Sequence, residues 1–151
     1  MYKKILFGTC LTDYCMHVFN FTLNLAKSSN AKLWIYHGLG RLRLGPEETA
    51  AKIKAAEEQV AAAYVPKMKA SGFSDFMINV SDGDVVPEMV KLARNARIDL
   101  LVMGTSTHTP VSVSEGAPAN TLGLTATQLI LSAPCPVLVI PPALIPGLAT
   151  R

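Results

Sequence analysis

Cys10, His37 and His108 are the residues of this sequence best placed for chemistry, because each closely follows an apolar run of strand character. In a parallel sheet the carboxyl ends of the strands converge. A thiol and two imidazoles would meet there, with Cys15 at the start of the first helix nearby. Thiolate and imidazole suit a soft or borderline metal such as zinc or copper. A thiol in that position is alternatively open to oxidation. The plainer reading makes Cys10 a small core filler and both histidines loop residues, and no metal-ligand spacing favours the sharper one.

A second candidate is the stretch from Asp99 to Ile140. An apolar run, Asp99 to Met103, breaks at Gly104. A hydroxyl-rich loop, Thr105 to Asn120, leads to Gly123, which opens an apolar helical pattern over Leu124–Ser132. Ala133-Pro134-Cys135-Pro136 then stops the helix before the β-branched run Val137–Ile140. Strand, glycine, loop, glycine, helix, strand is the form of a phosphate-binding βαβ unit. Asp82 and Asp84 could do acid–base work as paired carboxylates, but they flank Gly83 as turn residues do. Cys135, between two prolines, reads as structural. No Ser-His-Asp constellation, P-loop or GxGxxG is present.

The elements that must position these groups follow from pattern. With 151 residues, half of them apolar, the chain is one domain with a sizeable core. Its net charge of +3 comes from scattered basic residues, which argues against a nucleic-acid partner. No apolar run reaches the roughly 20 residues of a membrane span, and the first residues lack a signal-peptide pattern. Three cysteines without paired spacing suit reduced thiols. These features together predict a cytoplasmic protein.

Strand patterns fall at Lys4–Thr9, Lys32–His37, Phe76–Val80, Asp99–Met103 and Val137–Ile140. Helical patterns fall between them. The first, Tyr14–Ser29, is capped by Thr12 or Asp13 and turns Met16, Val18, Phe19, Phe21, Leu23, Leu25 and Ala26 inward. The second, Pro46–Ala70, ends at Gly72, with a kink or fraying predicted at Pro66. The third is Val85–Ala96, and the fourth is Leu124–Ser132. Trp34 and Tyr36 read as core. Alternating strands and helices with right-handed crossovers predict a Rossmann-like α/β fold: a five-stranded, mostly parallel sheet with helices on both faces. Residues 1–142 form this domain, and Ala143–Arg151 is a short apolar tail.

Four segments of this pattern resemble the universal stress protein family. They are Tyr2-Lys3-Lys4-Ile5-Leu6, the passage from Leu25-Ala26-Lys27 to His37, Asp99 through Thr105, and Ala133 through Ile140. The ATP-binding branch of that family carries G-x2-G-x9-G-(S/T), in which glycines let backbone amides approach phosphates. Gly104 matches the first position, while Thr107 and Ala117 occupy the next two glycine positions. Aligned instead from the last strand, the third glycine is Gly123, followed by Leu124 at the hydroxyl position and Thr125 one place late. Eighteen residues then separate Gly104 from Gly123, six more than the signature spacing. The longer loop costs only about 0.4 kcal/mol of closure entropy, but it displaces amides whose direction matters. Cys10 stands where the family's ATP binders carry an Asp, and Glu115 in the loop would repel phosphates.

The resemblance implies a non-catalytic regulatory or binding module of the stress response that is not a conventional ATP binder. It also implies a homodimer paired through Val137–Ile140. Two alternatives remain. The longer loop could still hold an adenine nucleotide, ATP or AMP, between Thr9, Cys10, Gly38, Met103, Gly104, Thr105, Gly123, Leu124 and Thr125. Otherwise Cys10 with His37 and His108 could form a metal or redox sensor.

Overall fold

Nine apolar segments build one sheet and four helices in a computed structural model that describes residues 1–105 and 122–142. In chain order these are β1 (Lys4–Gly8), α1 (Asp13–Ser29), β2 (Lys32–Gly38), α2 (Pro46–Ala70), β3 (Phe76–Ser81), α3 (Val85–Asn95), β4 (Leu100–Gly104), α4 (Leu124–Ser132) and β5 (Val137–Ile140). The residues from Ser106 to Thr121, which include Thr107, His108, Glu115, Ala117 and Asn120, and the tail Ala143–Arg151 lie outside the described residues.

Every strand pairing is parallel, and the strand order is β3-β2-β1-β4-β5. The chain therefore leaves the central β1 in one direction and returns to its other side as β4. Right-handed crossovers in opposite directions put their helices on opposite faces. Strand alternation sorts the side chains accordingly. Ile5, Phe7, Leu33, Ile35 and Val102 pack under α1 and α2. Leu6, Trp34, Tyr36, Leu101 and Met103 pack under α3 and α4. The first core centres on Phe7, Phe19 and Tyr64, with ring centroids 4.4–5.7 Å apart.

Several local signals act as their chemistry requires. The Thr12 hydroxyl caps α1 by accepting from the Cys15 N–H at 3.2 Å. Gly72 ends the α2 region at φ +74°, a left-handed conformation that suits glycine. α2 runs through Pro66 to Ala70, the expected bounds, with Pro66 on the exposed side and Tyr64 and Met68 in the core. Other expectations need correction. Phe21 is 44% exposed rather than inward, and Thr22 is buried in its place. The stripe runs Cys15, Val18, Phe19, Thr22, Leu23, Ala26, and the Thr22 hydroxyl tolerates burial by donating to the Val18 carbonyl at 2.8 Å. β4 starts one residue late because the Asp99 carboxylate is occupied in accepting the backbone N–H groups of Lys3 and Lys4.

Candidate functional site

Where the strand order reverses, between β1 and β4, the carboxyl ends of β1, β2 and β4 open into a cleft of about 360 Å³. This is the position at which doubly wound sheets take ligands. One lip is the Gly38-Leu39-Gly40 segment after β2, and its place is set by the turn before α3. The Gly83 N–H donates to the Gly40 carbonyl at 2.9 Å, and Leu39 N–H donates to the Ser81 carbonyl at 2.9 Å. Arg41 and Asp84 close the same corner with an exposed ion pair at 3.0 Å. Gly83, at φ +106°, makes the turn possible. Asp82 and Asp84 thus serve turn geometry, and neither lines the cleft.

The wall facing α3 is apolar, made by Val85, Met89 and Met103. Small residues allow it to sit close. A Cβ on Gly8 would lie 2.7 Å from the Met89 methyl, and one on Gly38 would lie 2.7 Å from Val85. No carboxylate, lysine or arginine lines the cleft among the described residues.

The β4 end is organised around Tyr14. Tyr14, fully buried at the start of α1, lays its ring edge on Gly104: its Cζ is 2.9 Å from where a Cβ would stand, and its Cε1 is nearer. Its hydroxyl donates to the Ile140 carbonyl and accepts from the Thr105 N–H at 3.1 Å. The Gly123 N–H donates to the Thr105 carbonyl at 2.6 Å. The two amides flanking the loop are therefore committed to the protein's own groups. Gly104 is glycine because an aromatic ring occupies its side-chain space. Burial raises the Tyr14 phenol pKa, so the hydroxyl stays a donor across the physiological range.

Thr9, Cys10, Gly38, Met103, Gly104 and Thr125 line the cleft, whereas Thr105, Gly123 and Leu124 do not. Leu124 is 73% exposed, and Thr125, one residue later, turns inward. Gly123 is the N-cap of α4, whose first amides receive no side-chain cap. The Thr9 hydroxyl is taken up by Tyr64 and by the Leu11 N–H at 3.0 Å. His37 lines the cleft with Nδ1 donating to the Thr9 carbonyl at 2.9 Å, so Nδ1 carries a proton.

Cys10 and His37 share the cleft, but His108 falls outside the described residues. Among those described, no three His, Cys, Asp or Glu side chains gather as a metal site would need. Cys10 meets Cys15 instead, with the two sulfurs 2.8 Å apart. The hydrogen bond from Cys10 lowers the Cys15 pKa to about 6 against the effect of burial, while the same contact and burial push Cys10 up. Sequence reading placed Cys15 nearby without pairing the two, and it missed Tyr14, Val85 and Met89. The available signal was position: Tyr14 and Val85 each stand within the first turn of a helix that follows a strand.

Comparison with known proteins agrees with this fold. The chain is 28% identical over 146 residues to a curated universal stress protein of Methanocaldococcus jannaschii, covering 93% of this chain and 82% of the relative. It superposes on the universal stress protein UspA from Lactobacillus plantarum with a TM-score of 0.67 at 21% identity, covering 92% of this chain and 97% of that one. The universal stress protein from Archaeoglobus fulgidus in complex with dAMP gives 0.64 at 21% identity, over 92% and 98%. An Arabidopsis thaliana universal stress protein family protein with AMP bound gives 0.61 at 21%, over 92% and 91%. At these identities the structures establish likeness of fold. The model of the universal stress protein family itself matches residues 1–141, and the chain belongs to that family.

Proposed function

We propose that this protein is a non-catalytic regulatory module of the stress response, acting in the cytoplasm, whose cleft takes an adenine nucleoside or its monophosphate in preference to MgATP. The observation that carries this reading is the commitment of the Thr105 and Gly123 amides to Tyr14 and to Thr105. A triphosphate needs several converging amides or cations, and the described cleft residues include no lysine or arginine. A single phosphate has a simpler partner in the uncapped N-terminus of α4 beside Thr125. A purine suits the apolar wall of Val85, Met89 and Met103. The AMP and dAMP bound by the two structural relatives favour the same ligand class. Calorimetric titration with AMP and with adenosine tests the ligand class. Saturable heat with either is expected, and its absence at millimolar ligand would refute the reading.

The proposed assembly is an isologous dimer through β5. This strand is an edge of the sheet, and an apolar edge requires cover. Beside it, α4 exposes Ile130 at 47% and Leu131 at 82%. Sedimentation at micromolar protein should report a dimer. Leu131→Glu, at a position free of core packing, should shift it toward monomer while the circular-dichroism spectrum stays that of the folded protein. A wild-type monomer throughout that concentration range would exclude this arrangement.

A further inference from the structure

The β1–α1 turn brings two thiols together on the wall of the cleft. Cys10 follows β1, and Cys15 lies in the first turn of α1. Their sulfurs are 2.8 Å apart, against about 2.05 Å in a covalent disulfide. The contact is supported from several sides. The Cys10 N–H donates to Cys15 Sγ at 3.3 Å, and the Thr12 hydroxyl lies 3.3 Å from Cys10 Sγ. The chain between them is already bent, with Leu11 at φ 63° and its N–H held by the Thr9 hydroxyl. Both residues line the cleft. Cys15 is only 3% exposed, so an oxidant must be small enough to enter. Cys135 stands apart at the entrance of β5.

We propose that Cys10 and Cys15 are a reversible dithiol–disulfide pair, oxidised within the cleft by a small hydroperoxide. The Cys15 thiolate attacks the terminal peroxide oxygen. The O–O bond breaks, the alcohol or water leaves with a proton, and Cys15 becomes a sulfenic acid. Cys10 sulfur then attacks Cys15 sulfur, the S–O bond breaks, and hydroxide departs as water with the Cys10 proton. Two thiols are oxidised to one disulfide, and one hydroperoxide is reduced to an alcohol and water. A small dithiol reverses the step by attacking Cys10, the more accessible sulfur, with Cys15 as leaving thiolate. The lowered Cys15 pKa suits both roles, since a thiolate is the nucleophile and a low-pKa thiol leaves faster. The pair requires neither a metal nor a nucleotide, so it stands independently of the ligand reading above.

One tryptic peptide, Ile5–Lys27, contains both cysteines and no internal Lys or Arg. The intact protein is treated with equimolar hydrogen peroxide, then unfolded in urea, alkylated with iodoacetamide, digested and weighed. The expected oxidised peptide lacks both labels and is two hydrogens lighter. Dithiothreitol restores both labels, and Cys135 remains labelled throughout. Cys10→Ser should instead stop at a sulfenic acid on Cys15 that dimedone traps when the protein is unfolded in its presence. Full labelling of both cysteines after peroxide would overturn the proposal. So would a disulfide to Cys135 or between chains, or sulfinic acid formed on either cysteine without the bond.

Discussion

Gly104→Ala should destabilise the protein by about 3 kcal/mol, the upper part of the range for forced overpacking of a core. The reason is specific to the neighbour. The added Cβ would meet the edge of Tyr14, with Cζ at 2.9 Å and Cε1 closer. That ring cannot swing aside, because it is fully buried and its hydroxyl is bonded to both Ile140 and Thr105. The backbone cannot retreat easily either, since Gly104 pairs with Ile140 at the β4–β5 register. At about 2–4 °C per kcal/mol for a chain of this size, the melting temperature should fall by about 6–12 °C. The competing explanation of this glycine, close approach of a bound phosphate, predicts near-normal stability and a loss of ligand affinity. Thermal denaturation without ligand separates the two. A loss below about 1 kcal/mol would mean that the Tyr14 contact does not define the site.

Tyr14→Phe should cost about 2 kcal/mol while leaving the ring packing intact. It removes one oxygen that serves two buried backbone groups, the carbonyl of Ile140 and the amide of Thr105. A buried polar group left without a partner costs about 1–3 kcal/mol. The two groups lie at the ends of β5 and β4, so this single hydroxyl fastens both strands to α1. Urea unfolding should show a lower midpoint with an unchanged slope, the mark of altered stability without altered compactness. An unchanged midpoint would contradict the bridging role. The comparable hydroxyl of Tyr64, bonded to Thr9, joins α2 to the end of β1 in the same manner. Tyrosines at the carboxyl edge of the sheet therefore occupy the Thr105 amide, the Ile140 carbonyl and the Thr9 hydroxyl.

The sheet and its helices were largely readable because their signals are local. α2 and α4 have the bounds that Pro46, Ser71-Gly72, Gly123 and Ala133-Pro134 impose. Strand ends shifted by a residue where a partner decided them. β2 and β3 each extend to the Gly38–Ser81 pair, and Asp99 leaves β4 to hold the Lys3 and Lys4 amides. The inward face of α1 was misjudged at Phe21, because apolarity was weighed and the ability of Thr22 to satisfy its hydroxyl on Val18 was not. The site was less legible for a physical reason. Counting against the glycine signature showed that Thr107 and Ala117 replace two glycines, but it could not show what Gly104 touches. Tyr14 and Gly104 are distant in sequence, and their contact depends on how α1 crosses β4. Cys10 and Cys15 are close in sequence, yet no recognised motif has that spacing. The left-handed turn at Leu11 that helps bring them together has no glycine to announce it.

The family's frame is thus retained, and the proposed preference against MgATP rests on the Thr105 and Gly123 amides being engaged by Tyr14 and Thr105. That claim is tested most directly by titrating the intact protein with MgATP in a calorimeter. With Thr105 and Gly123 engaged and no cation lining the described cleft, the dissociation constant should be weaker than about 100 µM, or about 5.5 kcal/mol of binding, and no tighter than that of AMP. A constant well below 100 µM would contradict the account and restore MgATP as the ligand of this cleft.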